Sequence, residues 1–545
     1  MDEGSNRLQN WPALTSIGFN GSDRILPRFS VDTDPANATY PLTVDFYISD
    51  GSREGRTWIG SRLYTAADHA SGQPVGEVLV SPVALDESDT IVATATDAAG
   101  NTSAFTPEAS LSAPEAFVVT NTNDSGAGSL RQALSDASAL GGLTRVGFDI
   151  PGSGTRIISP LSPLPVITGG VTIAGTTHPG ATDCTAGAGG IPAIQIDGAS
   201  AGTSASGLVF DGATGATVRG LSIVAFGGDG VRIDGGESVA VTCSFIGIAA
   251  SGAARGNGRG VHLTGGVAAA VIGGLTAADR NVIGSNTLEG VLITGGTPAS
   301  FVASNTIGTT PTGSAPRPNA TGIRITGGAQ FTFVGGTLGG DPAPNVISGN
   351  TGVGVVISAS NNNFLLSNLI GTNADGDGAI PNGFHGVQLI GGASNNVIGG
   401  TGEALGNTIS GNGLWGLIVE GVGTTGNRIQ GNRIGVALDG TTPLGNARDG
   451  VLVYNGATDN TIGGTASGEG NVIAHNGESG VEINTASSVG NRILRNTIRH
   501  NAGISIDLLG NGTTPNDTGD ADEGPNRLQN APVFTSASYD GSMLS

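Results

Sequence analysis

Aliphatic, glycine and asparagine positions recur at fixed intervals along most of this chain. The hexapeptide Asn281-Val-Ile-Gly-Ser-Asn286 returns in related forms at Asn345, Asn407 and Asn471, at spacings of 64, 62 and 64 residues. Within that period, a Gly-aliphatic-x-aliphatic motif recurs every 30 to 34 residues, beginning at Gly230, Gly260, Gly290, Gly322, Gly354, Gly386, Gly416, Gly450 and Gly480. One period therefore contains two structural turns, and a fixed period of this length indicates a repeat architecture.

The aliphatic triplets are too short for helices and are separated by Gly and Asn, so they predict short strands with tight corners. We expect each turn to stack in parallel on the last, with Val, Ile and Leu inside, Gly and Asn at positive-φ corners, and Asn side chains hydrogen-bonded along the axis. This is a parallel β-helix over residues 146–510. Roughly 13 to 15 turns at about 4.8 Å each predict a coil roughly 60 to 70 Å long.

From about Phe117 to Leu509, the Asn-x-Ile-x-x-Asn and Gly-Val-x-Ile repeats resemble the bacterial right-handed parallel β-helix proteins of the pectin-lyase-like superfamily. The resemblance implies a right-handed solenoid. It also implies what an enzyme of this kind would need: an Arg or Lys base beside bound Ca²⁺, or clustered Asp residues that act as acid and base.

The segments before the coil predict two further parts. Residues 1–112 lack the repeat and contain alternating strands such as Leu42–Ile48 and Ile91–Thr96, which predict a β-sandwich. Residues 94–103 resemble the closing hairpin of bacterial immunoglobulin-like modules. Residues 113–145 predict a linker and an N-terminal helical cap, because Ser129 and Gln132 form a capping-box pattern ahead of an apolar helix face.

The chain ends on a copy of its own beginning. Asp522–Asn530 matches Asp2–Asn10 at eight of nine positions. Residues 511–545 are therefore predicted to be an acidic junction followed by the first strand of a second sandwich. A tandem array of sandwich and β-helix units is the expected parent.

Charge and composition exclude some classes of binding partner and favour others. The chain has 44 acidic and 23 basic residues, all of the latter Arg, and a formal net charge of -21. Nucleic acid and anionic membranes are poor partners for such a chain, whereas divalent cations suit it. No apolar run is long enough to insert in a membrane. Met1-Asp2-Glu3 does not open a signal peptide, although the Gly-, Thr-, Asn- and Ser-rich composition is typical of a secreted or cell-surface protein.

The chain contains only two cysteines, Cys184 and Cys243. In an oxidising compartment they are predicted to form a disulfide that joins neighbouring early turns. Two unpaired thiols are the alternative.

Two acidic stretches are candidate metal sites. Asp517, Asp520, Asp522 and Glu523 supply hard oxygen ligands around a Gly, as Ca²⁺ requires, and a solvated loop is the alternative. Residues 373–378 have the opening spacing of an EF-hand loop, but Phe384 stands at the twelfth position, so a turn is the favoured prediction.

Candidates for catalysis are weak in the sequence. The regular turns carry carboxylates that look isolated, at Asp234, Glu420, Glu482 and Asp507. Hydrolysis would need two or more on adjacent strands. Phe384-His385-Gly386 only distantly resembles the Gly-His-Gly of galacturonases, Arg448-Asp449-Gly450 stands alone, and His262 is predicted to lie on the surface.

Late in the coil, arginines are candidates for binding acidic glycans: Arg428, Arg433, Arg492 and Arg495, with Arg499 nearby. A solvated face that pairs with Asp and Glu is the favoured alternative.

Together these features predict a structural or adhesive module, a rigid extracellular rod within a tandem-repeat protein. The alternative is a carbohydrate-active enzyme, a lyase or hydrolase, or a glycan-binding protein that uses the groove of the coil. Copies of the chain are further candidate partners, because residues 531–545 could add as a strand to another molecule's sandwich.

Overall fold

The computed structural model describes residues 9–536, except residues 20–23, 73, 77–78, 84, 87, 112–114, 141–143, 183–189, 275, 297–298, 339–340 and 403. Its regular structure is nearly all β-strand, as predicted. The α-helices of the described residues span Ala66–Ser71 and Leu130–Leu140. The first was not predicted; its signal is the capping box of Thr65 and Asp68, each of which hydrogen-bonds the other's backbone N–H.

The N-terminal segment folds into two antiparallel sheets. One contains Ala13–Phe19, Arg24–Ser30, Val75–Gly76 and Leu79–Val80, and the other contains Leu42–Ser49, Gly55–Tyr64, Thr90–Thr96 and Ala109–Ser110. Side chains from both sheets share one core, in which the rings of Phe29 and Phe46 meet edge to face at 5.4 Å. This is a β-sandwich. Its immunoglobulin-like character stays a prediction.

The rest of the chain coils through three long parallel sheets. The 13-stranded sheet contains Glu115–Val119, Thr144–Phe148, Val171–Ala174, Thr217–Arg219, Ala240–Thr242, Val271–Gly273, Phe301–Ala303, Phe333–Gly335, Phe364–Leu366, Val397–Gly399, Arg428–Gln430, Thr461–Gly463 and Arg492–Leu494. The 12-stranded sheet contains Arg156–Ile158, Ile194–Asp197, Leu221–Val224, Phe245–Ile246, Val282–Ile283, Thr306–Ile307, Val346–Ile347, Leu369–Ile370, Thr408–Ile409, Arg433–Ile434, Val472–Ala474 and Thr497–Arg499.

The 11-stranded sheet contains Leu208–Asp211, Asp229–Asp234, Arg259–Thr264, Glu289–Ile293, Thr321–Ile325, Val355–Ser358, Val387–Ile390, Leu417–Glu420, Val451–Tyr454, Val481–Ile483 and Ile506–Leu508. Thr337–Leu338 and Asp341–Pro342 form a small antiparallel hairpin outside these sheets. Short 3₁₀ turns lie at Gly175–Thr177, Gly198–Ser200, Ala277–Asp279 and Pro525–Leu528.

Strand register confirms the right-handed parallel β-helix. Val291 pairs with Ile323, Ile323 with Val355, and Val355 with Val387, so each strand lies over the equivalent strand of the previous turn. All four side chains are fully buried in one apolar core that runs from Val119 to Ile483. The first pairing occurs between Glu115–Val119 and Thr144–Phe148, so the coil begins within the segment expected to be linker and cap.

Buried asparagines form three ladders parallel to the axis. In each, a side-chain Nδ2 donates to Oδ1 of the next Asn, as from Asn407 to Asn432 at 2.9 Å. The two ends of the hexapeptide, Asn281 and Asn286, belong to the first and second ladders, and the side chains are hydrogen-bonded along the axis as predicted. The ladders consist of Asn281, Asn305, Asn345, Asn368, Asn407, Asn432, Asn471 and Asn496; of Asn257, Asn286, Asn319, Asn350, Asn382, Asn412, Asn446, Asn476 and Asn501; and of Asn363, Asn396, Asn427, Asn460 and Asn491.

The prediction that Asn takes the positive-φ corners is wrong for these ladders. At many ladder positions the positive φ lies one residue earlier, for example 59° at Ser304 before Asn305 and 70° at Gly411 before Asn412. The bend at that residue aims the Asn side chain inward, where backbone carbonyls accept its second N–H. Beside the ladder, Gly386 cannot carry a side chain, because a Cβ would lie 2.8 Å from Nδ2 of Asn412.

Both ends of the coil are covered. The Leu130–Leu140 helix buries Leu130 and Leu134 fully against the first turns, as expected of a lid. Ser129 Oγ accepts the backbone N–H of Gln132 at 3.2 Å, whereas the Gln132 side chain donates to Asp136 instead of completing the capping box. At the other end, Asn526 Oδ1 accepts the backbone N–H of Asn491 at 2.9 Å and so continues the third ladder.

Candidate functional site

Polar and aromatic side chains gather on the outer face of the 11-stranded sheet. The Gly-aliphatic-x-aliphatic motif turns its two aliphatic side chains inward. Three positions of each repeat then face outward. They are the residue before the Gly, the residue x between the two aliphatic side chains, and the residue that follows the motif. Among the chemically active residues, the first row contains Asp229, Arg259, Glu289, His385, Trp415 and Asp449; the second contains Arg232, His262, Arg324, Gln388 and Glu482; and the third contains Asp234, Glu420 and Tyr454.

The later part of these rows forms what we call the acidic-aromatic cluster, which consists of His385, Gln388, Trp415, Glu420, Arg448, Asp449, Tyr454, Glu478 and Glu482. Trp415 lies at its centre. The indole Nε1 donates to Asp449 Oδ2 at 2.9 Å. The His385 ring lies 5.2 Å from the indole, and the Arg448 guanidinium lies 5.2 Å from its ring centroid. Contacts from the turns on either side thus hold the indole in place.

Asp449 is the most deeply buried acid of this cluster. Its side chain is 1% exposed, and Oδ1 accepts the backbone N–H of Ser479 at 2.6 Å. Burial raises the pKa of Asp449 to about 6, with the nearby charges of Glu482 and Glu478 acting in the same direction. The hydrogen bonds from Trp415 and Ser479 oppose that rise. Asp449 therefore changes charge near neutral pH while it holds the indole.

His385 titrates in the opposite sense. Burial lowers the pKa of its imidazole to about 4, against the opposing effect of Glu420. Its Nδ1 is buried without a hydrogen-bond partner among the described residues. At neutral pH this ring is therefore uncharged.

Glu420 connects the first and third rows. Its carboxylate accepts N–H groups from Gln388 at 3.2 Å and Asn455 at 3.3 Å. Tyr454 also hydrogen-bonds to Glu420; burial first, and then this bond and the carboxylate's charge, raise the pKa of Tyr454 to about 12. Tyr454 therefore stays a neutral donor across the physiological range.

The cluster thus contains four carboxylates, at Glu420, Asp449, Glu478 and Glu482, and one cation, Arg448, which pairs with Glu478 at 2.8 Å. Half-buried side chains at Glu420 and Glu482 are placed to contact a ligand, whereas Asp449 is enclosed. The prediction that Glu482 is isolated is wrong, because parallel stacking places it opposite Asp507 on the next strand and near Asp449, whose pKa its charge raises. The positions that face Glu420 on the neighbouring strands are Ile390 and Tyr454. These neighbours could have been found from the sequence, because the outward positions of the recurring motif can be aligned from one turn to the next.

The earlier part of the same rows is a balanced network of ion pairs. Arg259 Nε contacts Glu289 Oε2 at 3.0 Å, and Arg324 Nε contacts Glu289 Oε1 at 3.1 Å. His262 takes an outward position, as predicted, but its Nδ1 lies 3.1 Å from Asp229 and its side chain is only 15% exposed. Opposite charges cancel here, so this network stabilises the sheet face and offers no net charge to a ligand.

The other predicted carboxylates of the coil have local partners. Asp234 pairs with Arg232 at 2.6 Å. Asp507 is buried and accepts the backbone N–H groups of Asn511 and Gly512. Neither carboxylate is left free for substrate by these contacts.

The structure brings together three of the four predicted Ca²⁺ ligands. Asp517, Asp520 and Asp522 each place one carboxylate oxygen within 4.8 Å of the others, whereas Glu523 is not part of that group. The Oδ1 atoms of Asp517 and Asp522 are both buried without a hydrogen-bond partner among the described residues. Three close carboxylates fit a hard divalent cation. The Ca²⁺ site remains a prediction.

Residues 373–378 form a turn, as favoured from the sequence. Asn373 Oδ1 accepts the backbone N–H groups of Asp377 and Gly378, and Thr372 pairs with Ala379 across the turn.

The candidate arginines lie on different sheets. Arg428 and Arg492 share one row of the 13-stranded sheet with Thr461 between them, Arg433 belongs to the 12-stranded sheet, and Arg495 lies at a corner. No ion pair joins them to a carboxylate in the described part of the chain, contrary to the favoured alternative.

Only one of the two cysteines of the predicted disulfide lies among the described residues. Cys243 is buried, and no cysteine among the described residues is a free thiol. Cys184 lies outside the described residues, so the bridge remains a prediction. In the described chain, no helix is long and apolar enough to cross a membrane.

No protein-family model and no curated protein matches this chain. Among solved structures, the A-module of mannuronan C-5 epimerase AlgE4 from Azotobacter vinelandii is 15% identical, with a TM-score of 0.39, covering 69% of this chain and 90% of that chain. A mutant of the periplasmic alginate epimerase AlgG is 12% identical, with a TM-score of 0.37, covering 67% and 77%.

A family 28 exopolygalacturonase from Yersinia enterocolitica is 9% identical, with a TM-score of 0.24, covering 93% of this chain and 97% of that chain. At these identities the likeness concerns the fold alone. The parallel β-helix of this chain rests on its own strand register.

Proposed function

We propose that the β-helix binds a neutral polysaccharide at the acidic-aromatic cluster and hydrolyses it. The observation that carries this proposal is that His385, Trp415, Glu420 and Glu482 gather within four successive turns of one sheet face, with Glu420 and Glu482 two turns apart. A purely structural rod has no need to gather half-buried carboxylates around an aromatic side chain. Such a rod would instead scatter its charges or balance them, as the network around Glu289 does.

Charge selects the class of substrate. The cluster has four carboxylates against one Arg, and the whole chain has a formal charge of -21. A polyanionic glycan would be repelled at this face, because like charges brought close together in a partly desolvated site are costly. A neutral glycan instead offers hydroxyl groups, which donate hydrogen bonds to the half-buried carboxylates.

Hydrolysis of a glycosidic bond needs two carboxyl groups with different tasks. One donates a proton to the leaving oxygen as its bond to the anomeric carbon breaks. The other takes a proton from the water that attacks that carbon. Glu420 and Glu482 are the half-buried pair available for these tasks, and Asp449 is a positioning residue that holds Trp415.

The test is reducing-end release from a panel of soluble neutral glucans, mannans and xylans, with alginate and polygalacturonate as anionic comparisons. Glu420→Gln and Glu482→Gln should each lower turnover by at least 100-fold, because losing a general acid or base typically costs 10² to 10⁴-fold, roughly. Glu478→Gln is the matched control, because its carboxylate forms an exposed ion pair. Cleavage of the anionic glycans alone would contradict the proposal.

A structural role for the same coil is a second proposal, supported by the three Asn ladders, which give it a continuous hydrogen-bonded interior. In this proposal the protein is an extracellular rod that presents its binding face within an array. Copies would associate through residues 531–545. Static light scattering with and without these residues tests the association, and identical monomer masses would contradict it.

A further inference from the structure

We infer that the N-terminal sandwich carries a separate saccharide-binding platform, the Trp58 face, formed by Asp45, Tyr47, Trp58, Ser61 and Phe105. Nothing in the coil contributes to it. It would bind one or a few sugar units of a neutral glycan through an aromatic plane and a polar edge.

Strand pairing builds this face. In the antiparallel pair Leu42–Ser49 and Gly55–Tyr64, Tyr47 lies opposite Trp58 and Asp45 lies opposite Ser61. Alternation along the strand turns these side chains outward, while Phe46 and Ile59 point inward and are fully buried. The register shifts between Phe46 and Tyr47, and this bulge allows both Ile59 to enter the core and Trp58 to stay outside.

Trp58 is exposed yet held in one orientation. Its side chain is 49% exposed, and its indole Nε1 donates to Asp45 Oδ1 at 3.1 Å and lies 3.3 Å from Ser61 Oγ. The Ser61 hydroxyl also donates to Asp45. These in-plane contacts fix the indole edge, so the ring is ordered before a ligand arrives. A pre-ordered aromatic side chain loses little conformational entropy on binding.

A second aromatic surface adjoins the indole. The rings of Tyr47 and Phe105 meet edge to face at 5.4 Å and 89°. They close over Gly55, where a Cβ would lie 2.8 Å from both rings. Burial and the charge of Asp45 raise the pKa of Tyr47, so its hydroxyl remains neutral. The result is an apolar plane bordered by a carboxylate and hydroxyl groups.

That combination fits a neutral pyranose. One face of such a sugar presents C–H groups, which pack on aromatic rings, and its edge presents hydroxyls, which donate to carboxylates. The five residues include no cation, so an anionic group would find no partner. An aromatic peptide would use the rings but would leave the Asp45 carboxylate unmatched.

The test is affinity electrophoresis of the full chain in gels that contain hydroxyethylcellulose, laminarin or, as an anionic comparison, alginate. We expect a neutral glucan to retard the wild type, Trp58→Ala to weaken that affinity at least 10-fold, and Asp45→Asn to weaken it at least threefold. Trp11→Ala is the matched control, because Trp11 is exposed to a similar extent, 47%. Near-UV circular dichroism verifies that each variant is folded.

Trp415→Ala separates this platform from the proposed hydrolytic site. Retardation that survives Trp415→Ala but is lost with Trp58→Ala supports the platform even if no glycan is hydrolysed. No retardation by either neutral glucan, or equal retardation of the wild type and Trp58→Ala, would overturn the inference. So would self-association that disappears with Trp58→Ala, since the occupant would then be a second copy.

Discussion

Substituting one ladder asparagine should destabilise the coil by far more than an ordinary polar substitution. In the first ladder, the Asn407 side chain donates to Leu365 O at 2.7 Å and to Asn432 Oδ1 at 2.9 Å. Its Oδ1 accepts from the backbone N and the Nδ2 of Asn368, at 2.9 and 3.0 Å. All four hydrogen bonds are buried, and Asn407→Ala removes them together.

The magnitude follows from what is left behind. The backbone N–H of Asn368 loses its acceptor inside the coil, which costs about 1–3 kcal/mol. The other three hydrogen bonds contribute about 1 kcal/mol each to the free energy of unfolding. Asn407→Ala should therefore lower local stability by about 4–6 kcal/mol. Asn511→Ala, at an exposed Asn, is the matched control and should stay within about 0.5 kcal/mol of the wild type.

Native-state hydrogen exchange is the suitable assay, because a long repeat coil does not unfold as one two-state unit. The opening free energies of amides at Asn368 and in the adjoining strands should fall in Asn407→Ala and stay unchanged in Asn511→Ala. Opening energies within 1 kcal/mol of the wild type at Asn368 would refute the reasoning, since the ladder would then contribute no more than solvent does.

Three further outcomes are expected. Because the pKa of Asp449 is raised, its contribution to the free energy of unfolding is present in acid and is lost as pH rises toward about 6. The contribution of His385, whose pKa is lowered, is lost as pH falls toward about 4. Asp449→Asn removes the first contribution, so thermal unfolding between pH 4 and 7 should show a steeper loss of stability in acid than the wild type. Added Ca²⁺ should raise the melting temperature relative to chelator, an effect that Asp520→Asn abolishes and Glu523→Gln leaves intact. Leu134→Ala should destabilise the first turns by about 2–5 kcal/mol in urea unfolding.

The fold could be predicted because its determinants are local and repeated. Asn281 and Asn286 place the hexapeptide in two ladders, and the motif glycines are required by the neighbouring ladder. The positive-φ residues were placed wrongly because the repeat alone does not say which side of the bend the side chain occupies. Ser304 bends so that Asn305 can point inward, a division of roles that only the backbone shows.

The candidate site could be predicted only in part. Asp517, Asp520 and Asp522 are close in sequence and also in space, whereas Glu420 and Tyr454 are separated by a full turn. Aligning the outward positions of the motif would have paired the last two. The burial of Asp449 could not be predicted by that alignment, because it depends on the backbone N–H of Ser479 and on the indole of Trp415 from the preceding turn.

Asn526 has a consequence for how this coil ends. A stack of parallel turns could in principle grow without limit, since its last turn presents unpaired backbone groups to any further strand. Asn526 comes from outside the coil, yet it occupies the position where the next ladder Asn would lie, and its Nδ2 donates back to Asn491 O at 2.6 Å. It acts as a chain terminator in the sense used for polymers, because it adds to the end of the third ladder and offers no strand to a further unit there.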